Sequence, residues 1–350
     1  MKVRSLSIRS LLLVHFAALA CSVAYGDPDE PVLTQTAIEK CVISVTARQQ
    51  VRAGLGTNLV RTGIGVLVRA DGIALVPGEL FVYGIRTDSG TPEELYCRPD
   101  QVSVSVTVPG HEPVAAQMLG SDPRTRLASI RLASVPSQLS VLPVQSAERV
   151  GPEPSARVLL PGAEVINAAL PGSEAIGVDA HTNRFMPLVE VRLERSATGL
   201  SGAPVVNSKG QFVGLLRAQK APTSGAVGTE IPSQVWFALP PSLVQRVAEG
   251  LAQPPYVVRH RWVGIQCDNA RSRPGAAVVG VTLGGPGQTA GLMVGDIIIE
   301  AGGVPVRTSA DFAGAVFAQP VGGWLPVTVL RGGTTMKLRV KVATEPLARR

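Results

Sequence analysis

The stretch Gly199-Leu200-Ser201-Gly202-Ala203-Pro204 places a serine between two glycines, inside a region of short β-like runs. A serine hydroxyl is a poor nucleophile at neutral pH, so chemistry at Ser201 needs an adjacent base and a third group that orients the base. That base is usually an imidazole. The sequence has no histidine between His15 and His111. The function therefore depends on which side chains accompany Ser201.

The region around this turn, from Ile43 to about Leu239, consists of short β-like runs separated by Gly, Pro and Asp. Between Val102 and Val108 valine alternates with polar residues, which is the period of a strand with one buried face. Asp71-Gly72 lies between two apolar runs and predicts a hairpin, because both residue types tolerate positive φ. Many short strands with close turns favour a mainly β sandwich or barrel.

One helix is predicted after this region. Ser242 is its expected N-cap, and Leu243, Val247 and Leu251 form one apolar face. Pro254-Pro255 cannot continue a helix. A linker and a second folded unit are expected to follow.

The first 26 residues are typical of an export signal. Three basic residues precede an apolar run from Leu11 to Ala24, and the small residues of Ala24-Tyr25-Gly26 precede Asp27. We therefore expect an exported protein, periplasmic or otherwise extracytoplasmic. Ala18-Leu19-Ala20-Cys21 partly matches a lipoprotein cleavage box, so the chain would contact a membrane only if it is lipidated or keeps its signal.

The composition argues against several classes of ligand. Without the signal the chain carries 30 basic and 26 acidic residues, an excess too small and too dispersed to predict nucleic-acid binding. Three cysteines remain, Cys41, Cys97 and Cys267; a Cys41–Cys97 disulfide and three free thiols are both open. No Cys and His spacing predicts a metal site, and no cofactor is expected.

Several segments resemble the HtrA (Deg) family in their order and spacing. Thr62-Gly63-Ile64-Gly65-Val66, followed by Asp71-Gly72, resembles the family's first hairpin. Ser121-Asp122-Pro123-Arg124-Thr125 resembles its aspartate segment, and Phe237-Ala238-Leu239-Pro240 resembles the join to its PDZ domain.

The resemblance implies a trypsin-like double β-barrel domain over residues 35–252, with the barrels at about 35–135 and 150–240. A C-terminal PDZ domain is implied over residues 258–345. Its last hairpin is visible in the alternation on either side of the Gly332-Gly333 turn.

The resemblance also assigns the positions of the catalytic triad. Ser201 occupies the nucleophile position, but Glu79 stands where the family has histidine and Arg126 where it has aspartate. The backbone N–H groups of Gly199 and Ser201 are the expected oxyanion hole, although Ala203 replaces the family's second glycine. A carboxylate has an ordinary pKa of about 4.3, roughly two units below imidazole, and loss of base and orienter costs on the order of 10⁶ in turnover.

We therefore expect a degenerate protease in which Glu79 and Arg126 form an ion pair across the old cleft; unrelated surface charges are the alternative. His111, His181 and His260 are expected to be surface or structural residues. Ser201 is either a chemical remnant or a small residue kept for packing.

The second unit carries a peptide-binding pattern. Trp262-Val263-Gly264-Ile265 resembles the PDZ loop whose backbone N–H groups capture a peptide's C-terminal carboxylate while the peptide adds a strand to the sheet edge. Gly285 to Leu292 and Gly295 to Ile298 match the family's most recognisable stretch. Phe312 and Val316, one helical turn apart, would line the groove beside Ile265, or all three are ordinary core residues.

Three functions are compatible with these residues and with the family resemblance. The first is an exported HtrA-like pseudoprotease that binds peptides or unfolded proteins, through their C-terminal segments, at its PDZ domain. The alternative is an active serine endopeptidase in extracytoplasmic protein quality control. The third is an assembly scaffold that uses neither cleft. A homo-oligomer is compatible with the resemblance, but no aromatic cluster near residues 27–45 supports a trimer.

Overall fold

The computed structural model describes residues 35–49, 59–86, 93–137, 139–142, 144, 152–172, 174–179, 184–217 and 234–346. The expected export segment 1–26 and His181 lie outside these residues. Within them the chain is mainly β, with two barrels followed by a PDZ domain, so the predicted fold class is confirmed. The domain boundaries 35–252 and 258–345 stay a prediction.

The first barrel follows a short helix, α1 (Gln35–Glu39), and closes in the strand order β1-β2-β3-β8-β7-β6. A small hairpin of β4 and β5 lies outside the barrel sheet. The strands are β1 (Val42–Gln49), β2 (Leu59–Leu67), β3 (Ile73–Pro77), β4 (Val82–Arg86), β5 (Glu93–Tyr96), β6 (Val102–Thr107), β7 (Val114–Asp122) and β8 (Leu127–Leu132).

Both local expectations for this barrel are confirmed. In β6 the valines at 104 and 106 are buried while Ser103 and Ser105 are exposed. The β2–β3 hairpin turns at Gly72, whose φ of 83° lies in the left-handed region that glycine adopts without steric cost.

The second barrel has the strand order β10-β9-β13-β14-β15-β12, and pairing of β10 with β12 closes it. β11 extends from β12 as a hairpin. The strands are β9 (Glu153–Leu159), β10 (Val165–Leu170), β11 (Glu174–Asp179), β12 (Arg184–Leu193), β13 (Pro204–Asn207), β14 (Phe212–Arg217) and β15 (Val235–Leu239). The segment that contains Ser201 joins β12 to β13, which pairs with β9 and β14.

Helix α2 (Pro241–Gly250) joins the barrels to the PDZ domain. The expectation that Ser242 is the N-cap is wrong: Pro240 is the cap and Pro241 is the first helical residue. Proline suits that position because its fixed φ is helical and its missing N–H would have had no helical partner. The predicted apolar face is confirmed, since Leu243, Val247 and Leu251 are all buried.

The PDZ domain is built on a six-stranded sheet with the order β17-β18-β19-β21-β22, to which β20 pairs at β19, and β16 pairs separately with β23. Its strands and helices are β16 (Arg261–Trp262), β17 (Ile265–Asn269), β18 (Ala276–Val281), α3 (Pro286–Thr289), β19 (Ile297–Ala301), β20 (Val304–Pro305), α4 (Ser309–Ala318), β21 (Trp324–Arg331), β22 (Thr334–Lys341) and β23 (Ala343–Thr344). The β21–β22 hairpin turns at Gly332 and Gly333, as predicted.

One aromatic side chain of the PDZ domain packs into the core of the barrels. Phe317, at the end of α4, belongs to the same buried cluster as Val247 and Leu251 of α2 and Val258 of the linker. Helix α4 also contacts β12 of the second barrel. Phe317 therefore contributes its apolar surface to the barrels' core rather than to the PDZ core.

The cysteines of the described residues are free thiols. Burial raises the pKa of Cys41 and Cys267 to about 12, which keeps both protonated and unreactive at neutral pH. The described residues contain no cluster of metal-ligating side chains. Among the same residues no helix has both the length and the apolar character needed to cross a bilayer.

Candidate functional site

The turn that carries Ser201 is wedged against the first barrel. Gly202 has a φ of 87°, and a Cβ built on it would lie 2.0 Å from the Ile64 carbonyl oxygen of β2 and 2.9 Å from Pro77 Cδ. The Gly202 N–H donates to the Leu216 carbonyl at 2.7 Å. Only glycine fits this position, so the serine turn is fixed between the two barrels.

The segment that follows Pro77 carries Glu79. It forms a single 3-10 turn, Gly78–Phe81, in which Glu79 is half-buried. The Gly78 N–H donates to the Arg126 carbonyl at 2.7 Å, and the Arg61 side chain donates to the Glu79 carbonyl. The Glu79 segment therefore contacts both the serine turn, through Pro77, and the segment of Arg126.

Arg126 lies in a strained loop between β7 and β8. Its φ of 57° is left-handed, which costs a residue with a Cβ about 1–2 kcal/mol. It is buried, and its N–H donates to the Asp122 carbonyl at 2.8 Å. The structure thus gathers the segments of Ser201, Glu79 and Arg126 in one place; the ion pair between the Glu79 and Arg126 side chains stays a prediction.

Asp122 holds that loop through hydrogen bonds, and no sequence pattern had indicated this role. Its carboxylate accepts from the N–H and the hydroxyl of Thr125, at 3.1 and 2.6 Å, and lies 3.0 Å from Nε2 of His260. Burial by itself would raise the pKa of Asp122, but these hydrogen bonds and the charge of His260 outweigh it and lower the pKa.

Two histidines lie in the described part of the chain, His111 at the surface and His260 in the interior. His260 is only 4% exposed and is directed at Asp122 from the linker, across 138 positions of sequence. His111 is exposed in the turn between β6 and β7. The pairing of His260 with Asp122 ties the start of the PDZ domain to the loop of Arg126.

The expected carboxylate-binding loop is Trp262-Val263-Gly264-Ile265. The Gly264 carbonyl accepts from the Thr282 N–H at 2.8 Å, and the Val263 carbonyl accepts from the Gly287 N–H at 2.7 Å. Gly264 has a φ of 72° and would meet Trp262 and Pro286 at 3.2 Å if it carried a Cβ. These contacts fix the loop at the start of α3.

The strand after this loop, β17, is an edge of the PDZ sheet and is therefore free to accept an added strand on one side. Phe312 and Val316 of α4 are buried in the PDZ core, with Ile265 packed against it. Their burial agrees with the alternative that they are core residues, so a role in lining a peptide groove stays a prediction.

A partly buried ion pair holds the loop between α3 and β19. Asp296 is 1% exposed and accepts two bonds from the Arg331 guanidinium, at 2.7 and 2.8 Å. It also accepts from the Met293 N–H at 2.9 Å. Burial favours a higher pKa for Asp296, but Arg331 and the Met293 N–H together lower it.

Comparison with known proteins agrees with this architecture. The PDZ domain family matches residues 262–342. A probable periplasmic serine endoprotease, DegP-like, of Rhizobium meliloti (strain 1021) is 31% identical over 186 residues, which cover 50% of this chain and 33% of the relative. The putative serine protease HhoB of Synechocystis sp. (strain ATCC 27184 / PCC 6803 / Kazusa) is 25% identical over 270 residues, covering 70% and 61%. The chain thus spans one third to about three fifths of the length of these curated relatives.

Solved structures show the same fold. The HtrA-type protease AlgW with a tripeptide superposes with a TM-score of 0.61 at 18% identity, covering 89% of this chain and 96% of that one. The serine endoprotease from Yersinia pestis gives a TM-score of 0.53 at 20% identity, covering 91% and 100%. These likenesses support the fold, a trypsin-like double barrel followed by a PDZ domain.

Proposed function

We propose that this chain is an exported pseudoprotease of the HtrA type that binds peptides or unfolded proteins through its PDZ domain. The observation that carries the proposal is that the segments of Ser201, Glu79 and Arg126 lie together between the barrels. The family resemblance puts Glu79 and Arg126 at the positions of the histidine base and the aspartate that orients it.

The chemistry of these residues supports catalytic silence. A carboxylate is about two pKa units less basic than imidazole, and a guanidinium accepts no proton and orients no base. Imidazole is the usual base for a serine, but Nε2 of His260 lies 3.0 Å from the Asp122 carboxylate and is directed at that group. Among the residues that the structure describes, these features leave Ser201 without the proton acceptor that activates a serine.

Peptide binding rests on the PDZ loop and the free edge of β17. Peptide-bound structures of the HtrA-type protease AlgW share this fold, and the backbone around Gly264 is held in a fixed conformation by Thr282 and Gly287. We expect the ligand to be a segment with an apolar, free C-terminus, because the loop from Trp262 to Ile265 contains no acidic residue that would repel a carboxylate.

An active serine endopeptidase in extracytoplasmic quality control is the second candidate. The names of the curated relatives favour it, as does the retention of Ser201 in a rigid turn. A fluorescent serine-directed phosphonate separates the two candidates, because only an activated serine is labelled quickly. Labelling of Ser201 within minutes, absent from Ser201→Ala, would favour the endopeptidase.

The peptide-binding proposal has its own test. Peptides that end in an apolar residue should bind the purified chain with a free C-terminus and lose most of their affinity when that C-terminus is amidated. Equal affinity for both forms would show that the loop does not capture carboxylates. Failure to bind either form would leave the scaffold function, which uses neither cleft, as the better account.

A further inference from the structure

Three arginines from separate segments meet where the linker joins the barrels to the PDZ domain. Arg124, from the β7–β8 loop, lies over the Phe317 ring at 5.3 Å, and the Arg261 side chain of β16 donates to the Phe317 carbonyl. Arg246 of α2 completes the group. Its neighbour Val247 belongs to the same buried cluster as Phe317. Burial, followed by the charges of Arg261 and Arg124, lowers the pKa of Arg246 to about 10.

The acidic groups at this joint do not balance the three guanidinium groups. Glu345 forms an ion pair with Arg124 at 3.0 Å. Glu249 acts on Arg246 from the same helix, but it is exposed and already accepts from Gln245 at 2.9 Å. The Asp122 carboxylate of the same loop is directed at Thr125 and His260. Within the described residues neither Arg246 nor Arg261 forms an ion pair with a carboxylate, so their positive charge is incompletely balanced in a partly buried place, where water screens it poorly.

Two of the guanidinium groups also have unused donors. Nη1 of Arg246 and Nε of Arg261 are buried, and within the described part of the chain neither has a hydrogen-bond acceptor. A buried N–H that makes no hydrogen bond costs stability, because it has lost its bonds to water and gained none in return. An acceptor that enters the joint would remove that cost, and the rigid fork of a guanidinium matches the geometry of a phosphate or carboxylate.

We propose that the arginine joint, defined as Arg124, Arg246 and Arg261, binds a small phosphate-class anion that links the barrels to the PDZ domain. A doubly charged oxyanion fits better than chloride because it neutralises the excess charge and accepts from several N–H groups at once. Its contacts would join α2, the β7–β8 loop and the first PDZ strand, so its binding stabilises the docked arrangement.

The first test is thermal unfolding of the purified chain at pH 7.5, with sodium chloride replaced by sodium phosphate at constant ionic strength. A ligand that binds only the folded state raises Tm as its concentration exceeds Kd, and we expect a rise of at least about 3 °C near 100 Kd for a chain of this size. Arg246→Gln should lose most of this rise. Arg259→Gln removes an exposed charge from the same linker and should keep it.

An equal rise in Arg246→Gln and the wild type would identify a general salt effect and overturn the proposal, as would no rise at all. If Arg246→Gln does not fold, the ³¹P line width of inorganic phosphate decides: the wild type should broaden it and Arg261→Gln should not. Glycerol phosphate distinguishes the source of the anion. Stabilisation by inorganic phosphate alone indicates a free ion, and stabilisation by both indicates a phosphate ester.

Discussion

The serine turn offers a sharp test of how the two barrels meet. Gly202 and Gly199 both have left-handed φ values, 87° and 71°. A Cβ at Gly202 would overlap the Ile64 carbonyl at 2.0 Å and touch Pro77 at 2.9 Å, whereas a Cβ at Gly199 would meet nothing within 4 Å. Alanine at either position thus carries the same kind of backbone strain, and Gly202→Ala alone adds a clash with the first barrel.

The magnitudes follow from these two terms. Left-handed backbone costs a residue with a Cβ about 1–2 kcal/mol, so Gly199→Ala should lower the free energy of unfolding by about that amount. Overpacking adds about 1–3 kcal/mol, so Gly202→Ala should lose roughly 2–5 kcal/mol. Urea unfolding, followed by tryptophan fluorescence, measures both variants beside the wild type. With an unchanged m-value, the midpoint should fall about twice as far for Gly202→Ala.

Equal, small losses in the two variants would refute this reasoning. That result would mean that the turn can move away from Ile64 and Pro77 at little cost, so that the serine turn is not fixed in the crevice. A larger loss in Gly199→Ala than in Gly202→Ala would contradict the packing of the turn altogether.

Three further predictions concern the joint and the PDZ domain. Phe317→Ala should reduce the free energy of unfolding by about 3–5 kcal/mol, because it leaves a cavity in the core shared with α2; a urea-measured loss under about 1 kcal/mol would show that the PDZ domain is not docked there. Gly264→Val should reduce the affinity for free C-terminal peptides at least about tenfold by strain and by crowding of Trp262 and Pro286, and unchanged affinity in a fluorescence-anisotropy titration would exclude this loop. Because its pKa is lowered, Asp122 stabilises the fold above about pH 4 and loses this contribution as the pH falls through the lowered value; the urea midpoint of Asp122→Asn should be less sensitive to pH in that range, and parallel pH profiles would contradict the assignment.

Local patterns predicted individual elements of the fold, whereas the double barrel and the PDZ domain were expected from the family resemblance. The hairpin at Asp71-Gly72, the alternation in β6 and the turn at Gly332-Gly333 each depend on neighbouring residues, and each is confirmed. The prediction that Ser242 caps helix α2 was wrong, and the reason is also local. Proline at the first helical position competes with a polar cap as a start signal, and the pair Pro240-Pro241 decided the boundary.

The contacts between distant segments could not be predicted in the same way. Asp122 and His260 are separated by 138 positions, and their pairing depends on how the linker returns to the first barrel. Phe317 lies in the same helix as Phe312 and Val316, but it packs with α2 while those two pack in the PDZ core. Both features arise from docking of folded units, for which one sequence carries no periodic signal.

Casein hydrolysis measures directly whether Ser201 has proteolytic activity. The purified chain and its Ser201→Ala variant should be compared with unfolded casein under identical conditions, with the release of soluble peptide measured over hours. We expect equal, background rates, because Glu79 and Arg126 supply neither a competent base nor an orienter for Ser201. A rate that is clearly higher in the unmodified chain and is lost in Ser201→Ala would mean that the chain is a protease whose serine is activated by another base.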